Sequence, residues 1–103
     1  MSYILLFLAG ALLCNAIPHV TSGLEGSTFP TPFAKPHGVG HSSPLVNFLW
    51  GGLNLVLGLA ILAGHPVTLG LNADFITVLV GALALGAPLS RHFGKVRSGE
   101  ISG

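Results

Sequence analysis

The chain has 103 residues, half of them apolar and only 7% charged, with four Lys/Arg against three Asp/Glu. About 25% of an ordinary soluble domain is charged, so these few charges cannot cover a water-facing surface, and most of the exterior is expected to meet lipid. The net charge of +1 lacks the basic stripe that a nucleic-acid partner needs, and the single Cys14 excludes an intrachain disulfide.

The length sets one domain, 1–103, and the apolar pattern predicts an all-α membrane protein with three transmembrane helices. The first is expected over 2–17, ending at Pro18, whose ring clashes with the preceding turn and which lacks an N–H. At about 1.5 Å per residue it spans roughly 22–24 Å, short for a ~30 Å hydrocarbon core. No Lys or Arg precedes this segment and no Ala-x-Ala-like site comes after it, which favours a retained helix over a signal peptide. Leu13 before Cys14 is too large for a lipoprotein cleavage site.

Residues 18–44 form a long Pro/Gly/His-rich connector between the first two helices. Phe29 to Pro36 is expected to be extended or polyproline-like, because each residue before a proline is pushed out of the helical region. Gly38 and Gly40 can then turn the chain. Phe29, Phe33 and Ala34 give the loop apolar weight, which suggests an ordered cover at the headgroup level.

The second helix is expected over 45–64, with Ser43 as N-cap and Pro44 at the first position. Its notable pattern is Asn47, Gly51, Asn54 and Gly58, spaced i, i+4, i+7, i+11 and so confined to a stripe of about 60°. Small residues let backbones approach, and an amide at membrane depth needs a protein partner, so this stripe reads as a helix-packing seam. An amide-lined path for a ligand or ion is the alternative. The third helix is expected over 73–89, capped by Asn72 or Asp74, with Pro88 near its end and a basic tail, 90–103, carrying Arg91, His92, Lys95 and Arg97. Thr77, Gly81, Ala84 and Pro88 offer a face for the seam, and Ala11 and Asn15 can complete it.

All four basic residues lie in the connector (Lys35) or the tail. With three crossings those regions share a side, so the positive-inside rule puts the connector and C-terminus in the cytoplasm and the N-terminus out.

His19, His37 and His41 are the candidate metal ligands, since neutral imidazoles hold zinc, copper or haem iron. No Cys, Asp or Glu accompanies them at ligand spacing, so no cofactor is expected and loop hydrogen bonding is the favoured role, with a metal or haem as the alternative. No catalytic residue emerges. Glu25, Asp74 and Glu100 are scattered, and Ser43 beside His41 already has a capping role. A small proton-coupled exporter would need a membrane-embedded carboxylate.

The runs Asn15-Ala-Ile-Pro-His19, Phe29-Pro-Thr-Pro-Phe-Ala34 and Ser42-Ser-Pro-Leu-Val-Asn47, with Trp50-Gly51, resemble a group of uncharacterised small bacterial multi-pass membrane proteins. The resemblance covers the first half of the chain, implies a bacterial inner (cytoplasmic) membrane, and supplies no activity. The expected function is a non-enzymatic interaction protein or accessory subunit, homo-oligomeric or docked in a larger membrane complex. The alternatives are a binding module for a metal, haem or quinone-like ligand and an oligomeric channel or carrier.

Overall fold

The computed structural model describes residues 2–99; the end of the expected tail, 100–103, lies outside the described residues. Three helices, α1 (Tyr3–Leu24), α2 (Pro44–Gly64) and α3 (Ala73–Ser98), are joined by a connector with a two-residue antiparallel ladder, β1 (Phe29–Pro30) with β2 (His41–Ser42). All three helices are long and apolar enough to cross a membrane. At 1.5 Å per residue they measure about 33, 32 and 39 Å. Each N-terminus is capped by a side-chain oxygen: Leu5 N–H donates to Ser2 Oγ, Val46 N–H to Ser43 Oγ and Phe75 N–H to Asn72 Oδ1.

Two helices run past their expected ends, Ile17 before Pro18 and Leu89 just after Pro88. α1 continues through Pro18 to Leu24, and α3 through Pro88 to Ser98, so 18–24 belongs to a helix and 90–98 is helical. A proline inside a helix costs about 3 kcal/mol, and the turns beyond each one make contacts that offset it. Past Pro18, His19 is buried and Val20 packs against Gly51. Past Pro88, His92 and Phe93 dock on the connector. α1 then ends on Gly26 at φ +73°, with Ser27 N–H donating to Ser22 O and Gly26 N–H to Gly23 O, a Schellman cap. α3 ends on Gly99, also left-handed at φ +86°.

α1 is the central helix. α2 and α3 both pack along it and hardly touch each other. The buried residues of α2 are Asn47, Gly51, Asn54 and Gly58. A Cβ on Gly51 would lie 2.6 Å from Val20 N, and one on Gly58 would lie 2.8 Å from Leu13 Cγ. On the other side of α1 the approach is closer still: a Cβ on Gly10 would lie 1.9 Å from Val78 O, and one on Gly81 would lie 2.0 Å from Phe7 O. The face of α3 differs from the one expected. Gly81 is buried, but Ala84 and Pro88 are exposed, and Val78 and Ala82 carry the contact instead. Among the described residues the buried apolar core is small, Leu6, Ala9 and Ala16, all on α1.

Gly51→Leu is expected to cut folded yield in detergent severalfold, because overpacking of about 1–3 kcal/mol or more results when a side chain meets backbone. Leu59→Val, at a position 51% exposed, should leave yield unchanged. Equal yields for the two variants would place the α1–α2 contact elsewhere.

Candidate functional site

The polar residues of the chain converge at one end of the bundle, where the end of α1 and the start of α2 meet the connector and the last turns of α3. Asn47, one turn into α2, is fully buried. Its Nδ2 donates to the carbonyls of Phe29, Ser42 and Ser43, each at 3.1 Å. Those three acceptors fix the amide's orientation, since only the nitrogen can donate to them. Oδ1 therefore faces α1, where it lies 2.8 Å from His19 Nδ1. An amide oxygen only accepts, so His19 Nδ1 carries the hydrogen and donates it. One buried pair thus ties α1, α2 and both connector strands together.

The connector folds upon this pair. Thr31, 1% exposed, bonds Ser42 Oγ through its hydroxyl and accepts from Phe33 N–H at 3.2 Å. Gly38 N–H returns to Thr31 O at 3.1 Å, and Val39 and Gly40 N–H both reach Pro36 O. Only Phe29–Pro30 of the expected extended run is strand; from Pro32 the chain turns. The reason is local closure. Gly38 takes a left-handed φ of +73°, and Gly40 packs so close to the Lys35 backbone that a Cβ would lie 2.3 Å from Lys35 O. Proline's preference for extended neighbours yields to these turn bonds.

α3 reaches the same place from the other side. His92 Nε2–H donates to Gly38 O at 2.7 Å, and the Phe93 ring lies 4.8 Å from that of Phe29. Phe33 stands edge-on to Trp50 at 5.1 Å. Lys35 and the α3 turns bearing Arg91, Lys95 and Arg97 consequently belong to the same end of the molecule as the connector.

Beneath the connector is a cavity of about 340 Å³ bordered by Asn15, His19, His37, Trp50, His92 and Phe93. A second, almost wholly apolar cavity of about 240 Å³ opens between α1 and α3, where Cys14, Ile17 and Pro18 face Gly86. Leu89 and Phe93 border both.

His19, His37 and His41 do not form a ligand set. His41 lies exposed on β2, with its Nδ1 2.9 Å from Thr28 Oγ1, and His37 Nδ1–H donates to Pro32 O. His19 and His37 share their cavity with His92 instead. Among the described residues no group of three His, Cys, Asp or Glu is placed to hold a metal ion. Asn54 bonds across the helix contact, accepting at Oδ1 from Asn15 Nδ2 at 3.1 Å and donating from Nδ2 to Trp50 O at 2.8 Å. Sequence reasoning missed His92 and Phe93 as site residues because it ended the helix at Leu89 and assigned 90–103 to a tail. Had the helix been carried on, the row Gly81, Leu85, Leu89, His92 at i, i+4, i+8, i+11 would have placed His92 over the α1 contact.

Comparison of the chain with protein-family models, with curated proteins and with solved structures found no match.

Proposed function

We propose that the chain is a non-enzymatic integral membrane protein, an interaction protein or accessory subunit of the bacterial inner membrane, whose connector is a folded cap on the cytoplasmic side. The observation that carries this reading is the use made of the buried polar residues. Thr31, Asn47 and Asn54 are each hydrogen-bonded within the protein, and with His19 they knit connector to helices. They build a shaped surface; none is paired with a carboxylate or a free nucleophile. Sidedness rests on Lys35, Arg91, Lys95 and Arg97 occupying the capped end.

The apolar exterior supports association. Ile4 and Leu83 are 82% and 71% exposed, and among the described residues only three apolar side chains are buried, little for a self-sufficient unit. The channel reading loses support, because the Asn47–Asn54 face is closed by α1 and lines no path within the three-helix unit.

The test is photo-crosslinking in intact membranes from positions 4 and 83, combined with mass determination in mild detergent. The expected result is discrete crosslinked species and a particle heavier than one chain. Lipid adducts alone, with a strictly monomeric particle, would sink the accessory-subunit reading.

A further inference from the structure

The connector cavity has a lopsided hydrogen-bonding character. Each of its three histidines donates through one nitrogen to a protein oxygen: His19 Nδ1 to Asn47 Oδ1, His37 Nδ1 to Pro32 O, and His92 Nε2 to Gly38 O. In a neutral imidazole the other nitrogen then bears a lone pair, and none of the three has a protein partner among the described residues. His19 is only 2% exposed. Yet among the described residues no sealed side-chain nitrogen or oxygen is left unpaired, so its Nε2 is not sealed, and the ring borders the cavity.

Asn15 repeats the pattern. Asn54 Nδ2 is held by Trp50 O, which turns Asn54 Oδ1 toward Asn15 and makes Asn15 present its Nδ2 there. The Asn15 Oδ1 remains as an acceptor. Against these four acceptors the lining side chains offer two uncommitted donors, the indole N–H of Trp50 and the second N–H of Asn15 Nδ2. No Asp, Glu, Lys or Arg borders the cavity, so its ligand is neutral. The walls are flat and aromatic, with Trp50 on one side and Phe93 on another, which suits a planar ring. The volume of about 340 Å³ falls at the lower end for small-molecule pockets. The apolar cavity between α1 and α3 shares Leu89 and Phe93 with it, and its lining suits a hydrocarbon tail.

We propose that this cavity binds a neutral aromatic ring bearing hydroxyl donors and an apolar tail, a hydroquinone- or phenol-type amphiphile. The ring lies against Trp50 with its hydroxyls donating to His19 Nε2 and to the free nitrogens of His37 or His92, while the tail runs along the α1–α3 cavity. The proposal rests on the reading of the chain as an integral membrane protein, but it concerns a ligand rather than an oligomeric state. A strictly monomeric particle would leave it standing.

Trp50 is the only tryptophan, so its emission reports occupancy. The protein in phosphatidylcholine nanodiscs is titrated with decylhydroquinone at pH 8 under reductant, and in parallel with its dimethyl ether, which keeps the shape and loses both donors. At that pH ordinary imidazoles are neutral. The hydroquinone is expected to saturate, with the ether weaker by about tenfold or more, the loss of one to two net hydrogen bonds. His37→Phe, at an exposed position and checked by circular dichroism for an intact fold, should weaken the hydroquinone severalfold and leave the ether unchanged. His92→Phe should do the same, and if it fails to fold, His37→Phe still decides. Equal midpoints for hydroquinone and ether, or a linear unsaturated response to both probes, would each overturn the proposal.

Discussion

Gly81→Ala and Gly10→Ala are each expected to break the α1–α3 pairing, although the change is a single methyl group. The added carbon would lie 2.0 Å from Phe7 O in the first case and 1.9 Å from Val78 O in the second. In both, the obstacle is backbone of the neighbouring helix, which no rotamer change can move aside. The helices must then separate along their length, forfeiting the contacts around Phe7, Val78 and Ala82. The loss should exceed the ordinary overpacking range of about 1–3 kcal/mol. Gly52→Ala is the control. Nothing lies within 4 Å of its Cβ position, and replacing glycine in a helix interior stabilises by roughly 0.5–1 kcal/mol. The same substitution should therefore act with opposite signs, read as the unfolding midpoint in a denaturing-detergent titration. Wild-type stability for Gly81→Ala would mean that α1 and α3 do not meet at these glycines.

Asn47→Leu should be the most damaging change on α2. It leaves the carbonyls of Phe29 and Ser42 and the Nδ1–H of His19 without this partner, while Ser43 O keeps the backbone N–H of residue 47. Each buried polar group left unmet costs about 1–3 kcal/mol, so a total loss of about 3 kcal/mol or more is expected even if some groups find water. Asn47→Asp should be nearly as harmful, because a carboxylate cannot donate to three carbonyls. Asn54→Leu is the comparison. It breaks one inter-helix bond, to Asn15, and such bonds average only about 0.6 kcal/mol in membranes. Because Asn47 also anchors the connector, its loss should speed chymotrypsin cleavage after Phe33, which is 61% exposed. Cleavage as slow as wild type would show that the connector holds itself together without the amide.

Most of the helical architecture was legible in the residues, for a physical reason. Long apolar runs and an i, i+4, i+7 stripe of amides and glycines act within one helix, where spacing alone decides which residues share a face. The caps at Ser43 and Asn72 are of the same kind. The prolines misled because a local rule weighs only the turn that a proline disrupts. Pro18 and Pro88 sit mid-helix because the residues just beyond them, His19 with Val20 and His92 with Phe93, have partners distant in sequence.

The candidate site was legible in its ingredients and not in its grouping. His19 and Asn47 stand out as polar residues beside apolar runs, and His37 and His41 as a pair four apart. Sequence spacing joins His37 to His41; the structure seats His37 with His19 and His92, and leaves His41 on β2. Composition and periodicity by themselves determined that this chain makes three helices apolar enough for a membrane, and that one stripe of α2 is fit for close packing, since both arise from side-chain chemistry repeated at the helical period. Only the tertiary structure decided that α1 is the central helix, that α3 meets it through Val78, Gly81 and Ala82, and that His19, His37 and His92 border a common cavity. Those outcomes depend on bonds such as His92 to Gly38, 54 residues apart, and no local pattern encodes a partner so far away.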